Sequence, residues 1–136
     1  MNSISSNKSY IFKINLLSNV WRKIQIPSDF SLDILHSTII EAFNFDDDHL
    51  YAFFMDNILW SEEKAFWSPY DESSPSANAV KLSSFHFKTR DSFLYLFDFG
   101  DEWVFNVSFV EEVIDESQKV LILESHGKSP EQYPNY

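Results

Sequence analysis

Apolar and polar residues alternate from Tyr10 to Leu17, with Phe12, Ile14 and Leu16 on one side and Ile11, Lys13 and Asn15 on the other. A period of two predicts a β-strand. Ser18-Asn19 supplies turn chemistry, and Trp21 to Ile26 predicts the returning strand with Ile24 and Ile26 inward. Pro27 ends it, because proline cannot donate to a ladder. The period then changes. Leu32, Leu35, Ile39, Ala42 and Phe43 recur at helical spacing, so Ser31 to Phe43 predicts an amphipathic helix. Ser28, Asp29 or Ser31 can cap it by accepting from its first free N–H groups. His36 falls at the edge of the apolar stripe.

His49 to Met55 is apolar on both sides, as a central strand would be, and Ile58 to Trp60 predicts a short partner for it. Residues 61–78 mix Ser, Pro, Glu and Asp with Phe66, Trp67 and Tyr70, and read as a long loop. Val80 to Phe87 fits either a helical turn or a strand. Phe93 to Phe97 and Trp103 to Glu111 predict a hairpin, with Trp103, Phe105, Val107 and Phe109 on one face. Between its arms lies the acidic turn Asp98-Phe99-Gly100-Asp101-Glu102, where Gly100 is the expected residue of positive φ. Val120 to Glu124 predicts a last strand. This order predicts an α+β fold: an N-terminal β-hairpin, one main helix, then antiparallel strands forming a sheet with the helix packed on one face. Residues 1–9 read as a flexible N-terminal tail, 10–125 as a single domain and 126–136 as a polar C-terminal tail.

Composition agrees with one folded domain: 136 residues, 44% hydrophobic, 18% aromatic, with 14 Phe. With no cysteine, disulfides and zinc–thiolate sites are excluded. The first residues lack an apolar leader, and no run approaches the roughly 18 apolar residues of a membrane span. The expected setting is cytoplasmic. Charge changes the picture more. Ten basic residues face 21 acidic ones, a net charge of −11. Residues 1–45 carry four basic and three acidic side chains, so the acid excess lies in the remainder. Direct nucleic-acid binding is not expected, because it rests on neutralising phosphates with Lys and Arg. Solubility is the simpler account of the acid excess; the sharper one is an acidic face for a basic protein partner or a mimic of nucleic acid.

Asp98, Asp101 and Glu102 can bind a divalent cation through oxygen, or the aspartates can accept from backbone N–H groups of the turn. His36 and His49 are candidates for a ligand pair or a general base. With Asp98 and Asp101 they form the metal set of one reading, a metal-dependent hydrolase or nuclease. Asp46-Asp47-Asp48 lacks the spacing of a calcium loop and reads as a solvated loop. Trp60, Phe66, Trp67 and Tyr70 can form an aromatic interaction patch. There is no Gly-x-Ser-x-Gly elbow, and glycine occurs only at 100 and 127. No phosphate-cradling loop exists, and no nucleotide or nicotinamide cofactor is expected. The leading expectation is a non-enzymatic binding module with no catalytic residues and no cofactor. Its surface would combine Asp98, Asp101, Glu102 and Trp103 with Asp46, Asp47, Asp48, Trp67 and Tyr70.

Four pieces carry a family resemblance, in order. They are Trp21-Arg22-Lys23-Ile24-Gln25-Ile26-Pro27; Leu35-His36 with Ala42-Phe43-Asn44-Phe45; Asp48-His49-Leu50-Tyr51-Ala52-Phe53; and Tyr95-Leu96-Phe97-Asp98-Phe99-Gly100-Asp101-Glu102-Trp103. Together they resemble the plasmid pRiA4b ORF-3-like family over residues 10 to about 112. The resemblance implies a compact α+β domain with a history on plasmids and transposable elements. It implies no settled activity. Two departures stand out. Phe105 occupies a position where family members often carry histidine, and Ser129-Pro130-Glu131-Gln132 stands for a Pro-Pro-Glu-Asp-type segment.

Overall fold

A computed structural model describes residues 7–133. Residues 1–6, part of the expected N-terminal tail, and residues 134–136 lie outside the described residues. The opening alternation becomes β1 (Lys8–Leu17) and β2 (Val20–Pro27), paired antiparallel. Asn19 turns between them at φ 67°, a conformation that asparagine tolerates better than most side chains. α1 follows (Leu32–Ala42), capped by Ser31, whose hydroxyl accepts from the Ile34 N–H. Its stripe of Leu32, Leu35 and Ile39 is buried. Then come β3 (Tyr51–Phe54), β4 (Ala65–Trp67), β5 (Ser92–Phe97), β6 (Trp103–Ile114) and β7 (Leu121–His126). Two 3-10 turns, Ala77–Ala79 and Leu82–Phe85, bridge β4 and β5.

All seven strands form one antiparallel sheet in the order β4-β3-β5-β6-β1-β2-β7. This corrects the α+β expectation of a main helix packed on one sheet face. The described residues are mostly sheet, and α1 is a small element of 11 residues. The core takes Ala77 and Leu82 from the 3-10 turns and Phe43 and Phe45 from beyond the helix, besides the α1 residues. No helical layer forms, because one short helix has too little surface to cover seven strands.

A second correction concerns the partner of β3. Ile58 to Trp60 is not a strand. The partner is β4, inside the segment read as a loop, with Ala52 opposite Trp67 and Phe54 opposite Ala65. Three residues are too few to show a period of two, so flanking Ser, Pro and Glu hide them.

Alternation sorts the apolar side chains into two clusters. Phe12, Ile14, Ile24, Phe53, Tyr95, Phe105 and Val107 belong to the main one. Ala52, Phe54, Ala65 and Leu96 form the smaller, packed under Leu59, Trp67 and Phe99. Neighbours along β3 thus serve different clusters, which is why that strand is apolar on both sides. At the far end of the sheet, all of β7 is exposed. β7 is pinned there by Arg22, a buried guanidinium whose Nη1 donates to the carbonyls of His126 and Gly127 at 3.0 and 3.1 Å. Its Nε donates to the Ala42 carbonyl at the C-terminus of α1, at 3.0 Å. Among the described residues no helix is long and apolar enough to cross a membrane.

Candidate functional site

The polar side of α1 begins the site. Asp33, His36 and Ser37 stand three and four residues apart, so they share one face, and all three line an open pocket of about 650 Å³. The loop after α1 adds Asp47, Asp48 and His49, β3 adds Tyr51, and the segment after β4 adds Ser68, Pro69 and Tyr70. No Lys or Arg lines it. Tyr70 is 92% exposed, a free ring at the mouth.

Beneath the pocket runs a buried hydrogen-bonded chain. His36 stacks flat on Tyr51, ring centroids 3.8 Å apart. Its Nε2 lies 3.0 Å from Asp47 Oδ1, and its Nδ1 lies 2.5 Å from the Tyr95 hydroxyl. A carboxylate only accepts, so Nε2 carries the proton, and Tyr95 donates to Nδ1 when the ring is neutral. Burial lowers the His36 pKa, against the opposing pull of Asp47. Burial also raises the pKa of Tyr95, which stays a phenol. The Tyr51 hydroxyl donates to Asp33 Oδ1, and its pKa is raised by burial and then by that carboxylate. Two carboxylates at the pocket, Asp33 and Asp47, are therefore each aimed by a buried donor.

His49 belongs to a second knot. Its Nε2 lies 2.7 Å from the Tyr133 hydroxyl, 3.3 Å from Asp98 Oδ2 and 3.7 Å from Asp48 Oδ1. Tyr133 donates to Asp48 Oδ2 at 2.7 Å, and that bond raises its pKa to about 12. Gln132 clamps the same loop: its Oε1 accepts from the Asp46 N–H at 2.6 Å and its Nε2 donates to the Asp46 carbonyl at 3.1 Å. The segment after β7 thus holds the acidic loop in place, with Ser129 Oγ donating to the Phe43 carbonyl at 2.6 Å.

Asp98 is 5% exposed and sits at φ 69°. Its Oδ1 accepts from the N–H groups of Gly100 and Asp101 at 3.1 and 3.2 Å. Gly100 is not among the residues of positive φ, contrary to the sequence expectation; Asp98 and Glu102 are. The reason is local: an aspartate that bonds its own turn tolerates the left-handed region, which relieves the glycine of that task.

The expected binding surface therefore divides. Asp47, Asp48 and Tyr70 line the pocket, and Asp46 meets Gln132 through its backbone. Asp98 is occupied by its turn and by His49, while Asp101 and Glu102 are exposed on that turn. Glu102 accepts from Trp60 Nε1 at 3.0 Å. Trp67 packs in the smaller cluster, and Trp103 packs edge-on against Phe45. The metal set of His36, His49, Asp98 and Asp101 is brought together only in the His49–Asp98 contact, since His36 turns to Asp47. Among the described residues no group of three or more His, Asp or Glu side chains is arranged to hold a metal ion.

Sequence reasoning missed Asp33, Tyr51, Tyr95, Gln132 and Tyr133. The three-residue spacing of Asp33 and His36 was a readable signal. The contacts of Tyr133 with residues 49 and 48 bridge 84 and 85 positions of chain and leave no sequence pattern.

The family model described as plasmid pRiA4b ORF-3-like protein matches residues 8–132. An uncharacterized protein, y4hQ, of Sinorhizobium fredii (strain NBRC 101917 / NGR234) is 26% identical over 113 residues. That alignment covers 82% of this chain and 57% of the relative, so the chain spans little more than half its length. A crystal structure of a protein of unknown function, MM3350, from Methanosarcina mazei Go1 is similar in fold, with a TM-score of 0.76 and 23% identity. The likeness covers 90% of this chain and 71% of that one.

Proposed function

The chain belongs to the plasmid pRiA4b ORF-3-like family, and from the pocket it builds we propose that it is a non-enzymatic binding module for a basic protein partner. The observation that carries this reading is a pocket with Asp33, Asp47 and Asp48 in its wall and no Lys or Arg among the residues that line it. Asp33 and Asp47 are pre-oriented by Tyr51 and His36. An entering ammonium or guanidinium finds acceptors already aligned, which lowers the ordering cost of binding. Tyr70 offers its ring to the same cation. A cytoplasmic setting and an association with plasmids or other mobile elements belong to the same reading; the family's description supports the second.

The test is titration of a labelled arginine-rich peptide at low salt, with a glutamate-rich peptide as control. Asn keeps the acceptor oxygen that Tyr51 and His36 use, so Asp33→Asn with Asp47→Asn removes charge and spares the fold. The double variant should bind at least about tenfold more weakly, roughly 1.4 kcal/mol, and wild-type binding should weaken as salt rises. Equal binding by both proteins, or none by the wild type, removes the reading.

A further inference from the structure

A second concavity lies apart from the acidic pocket, beside the start of β4. It has a volume of about 610 Å³, within the range of small-molecule sites. Met55, Phe66, Phe85, Phe87 and Phe93 line it. Four of these, all but Phe93, are only partly buried. The rings are locked into one another: Phe66 meets Phe85 edge-on at 5.5 Å, and Phe87 stacks on Phe93 at 5.5 Å. The floor is therefore ring-packed and apolar, and it stays in contact with water unless something covers it. Covering it removes apolar surface from water, which favours binding.

The rim is of opposite character. Glu62, Glu63 and Asp91 stand on it against the single cation Lys64. Asp91 is engaged, its Oδ2 accepting from the Lys88 N–H at 2.9 Å. Glu62 and Glu63 are exposed, and neither makes a hydrogen bond or ion pair with another described residue. An apolar floor under free carboxylates selects for a ligand with both features. Anionic ligands meet three carboxylates. Neutral apolar ligands leave the rim unused. A cationic head can reach a carboxylate while its apolar body lies against rings whose faces carry partial negative charge.

We propose that this cavity is a binding site for a small amphipathic cation, an organic ammonium with an aromatic or branched aliphatic body. The site is independent of the basic-partner reading, because it uses none of the same residues. Its specificity comes from Glu62 and Glu63, and its affinity from the phenylalanine floor.

The experiment is an NMR titration of the isotope-labelled protein with 4-phenylbutylamine, with 4-phenylbutanol and 4-phenylbutyrate as charge controls. Amide shifts should concentrate at residues 62–66, 84–87 and 91–93. The amine should bind at least about fivefold more tightly than the alcohol, and the acid should not bind. Glu62→Gln with Glu63→Gln should erase the preference for the amine and leave alcohol binding unchanged. Ser84→Trp, a substitution at an exposed lining position, should fill the cavity and abolish both. Equal affinity for amine and alcohol, no binding of the amine, or amine shifts centred on Asp33, Asp47 and Tyr70 would overturn the proposal. The last outcome would leave the acidic pocket as the cation site, so the two readings fail separately.

Discussion

Asp98 holds the acidic turn through a single oxygen that accepts from two backbone N–H groups. Without it, two part-buried donors lose their acceptor, and Ala at φ 69° lacks the side-chain bond that offsets the left-handed backbone. Asp98→Ala should lower unfolding free energy by about 2 kcal/mol in urea titration. Asp98→Asn keeps an acceptor and should cost less. Gly100 behaves differently: a Cβ there would meet Asp98 Oδ1 at 3.5 Å, an ordinary contact. Gly100→Ala should fall within about 0.5 kcal/mol of wild type. A larger loss at Gly100 than at Asp98 would refute this division of labour. That an aspartate of the turn can accept from its backbone N–H groups was legible in the sequence, but which residue takes the unusual backbone was not. That choice depends on a hydrogen bond that no residue pattern encodes.

Among the elements, β7 is anchored at its end by one side chain. All its residues are exposed, so apolar burial contributes little to hold it. Arg22 supplies the anchor by joining β2, the end of α1 and the end of β7. Its charge is balanced by carbonyl dipoles, including those at the negative end of the helix. Gly127 completes the junction at φ 79°, where a Cβ would come within 2.2 Å of the Asn19 carbonyl. Arg22→Met should cost about 3 kcal/mol. Amide exchange should rise first in Leu121–His126, while β5 and β6 keep their protection. Uniform loss across the sheet would contradict a local anchor. The long strands were legible from their alternation, and α1 from its stripe and cap. β4 and Arg22's role were not, the first for want of length and the second because a basic residue in a strand normally reads as solvent-facing.

At the scale of the whole molecule, packing decides the state of His36. α1, β3 and β5 meet around it and leave it 3% exposed, so its folded pKa lies below the ordinary value. As pH falls through about 6.5, the unfolded chain takes up that proton before the folded one does. The contribution to stability is therefore complete above that pH and declines on acidification, by up to about 1.4 kcal/mol per pH unit for one proton. Between pH 7.5 and 5, wild-type stability should fall more steeply than that of His36→Gln, measured by denaturant titration at each pH. Parallel curves would show that His36 titrates equally in both states.

The sequence by itself determined most of the strands, the helix with its apolar stripe, the family resemblance and the acid excess beyond residue 45. These follow from periodicities and side-chain chemistry that act within a few residues. Only the tertiary structure decided that the sheet outweighs the helix, that Asp33, Asp47 and Asp48 share a pocket, and that His36 and His49 turn to different carboxylates. Those outcomes depend on strand order and on contacts that span tens of residues. Neighbours in space such as Gln132 and Asp46 are strangers along the chain, and only the packed sheet brings them together.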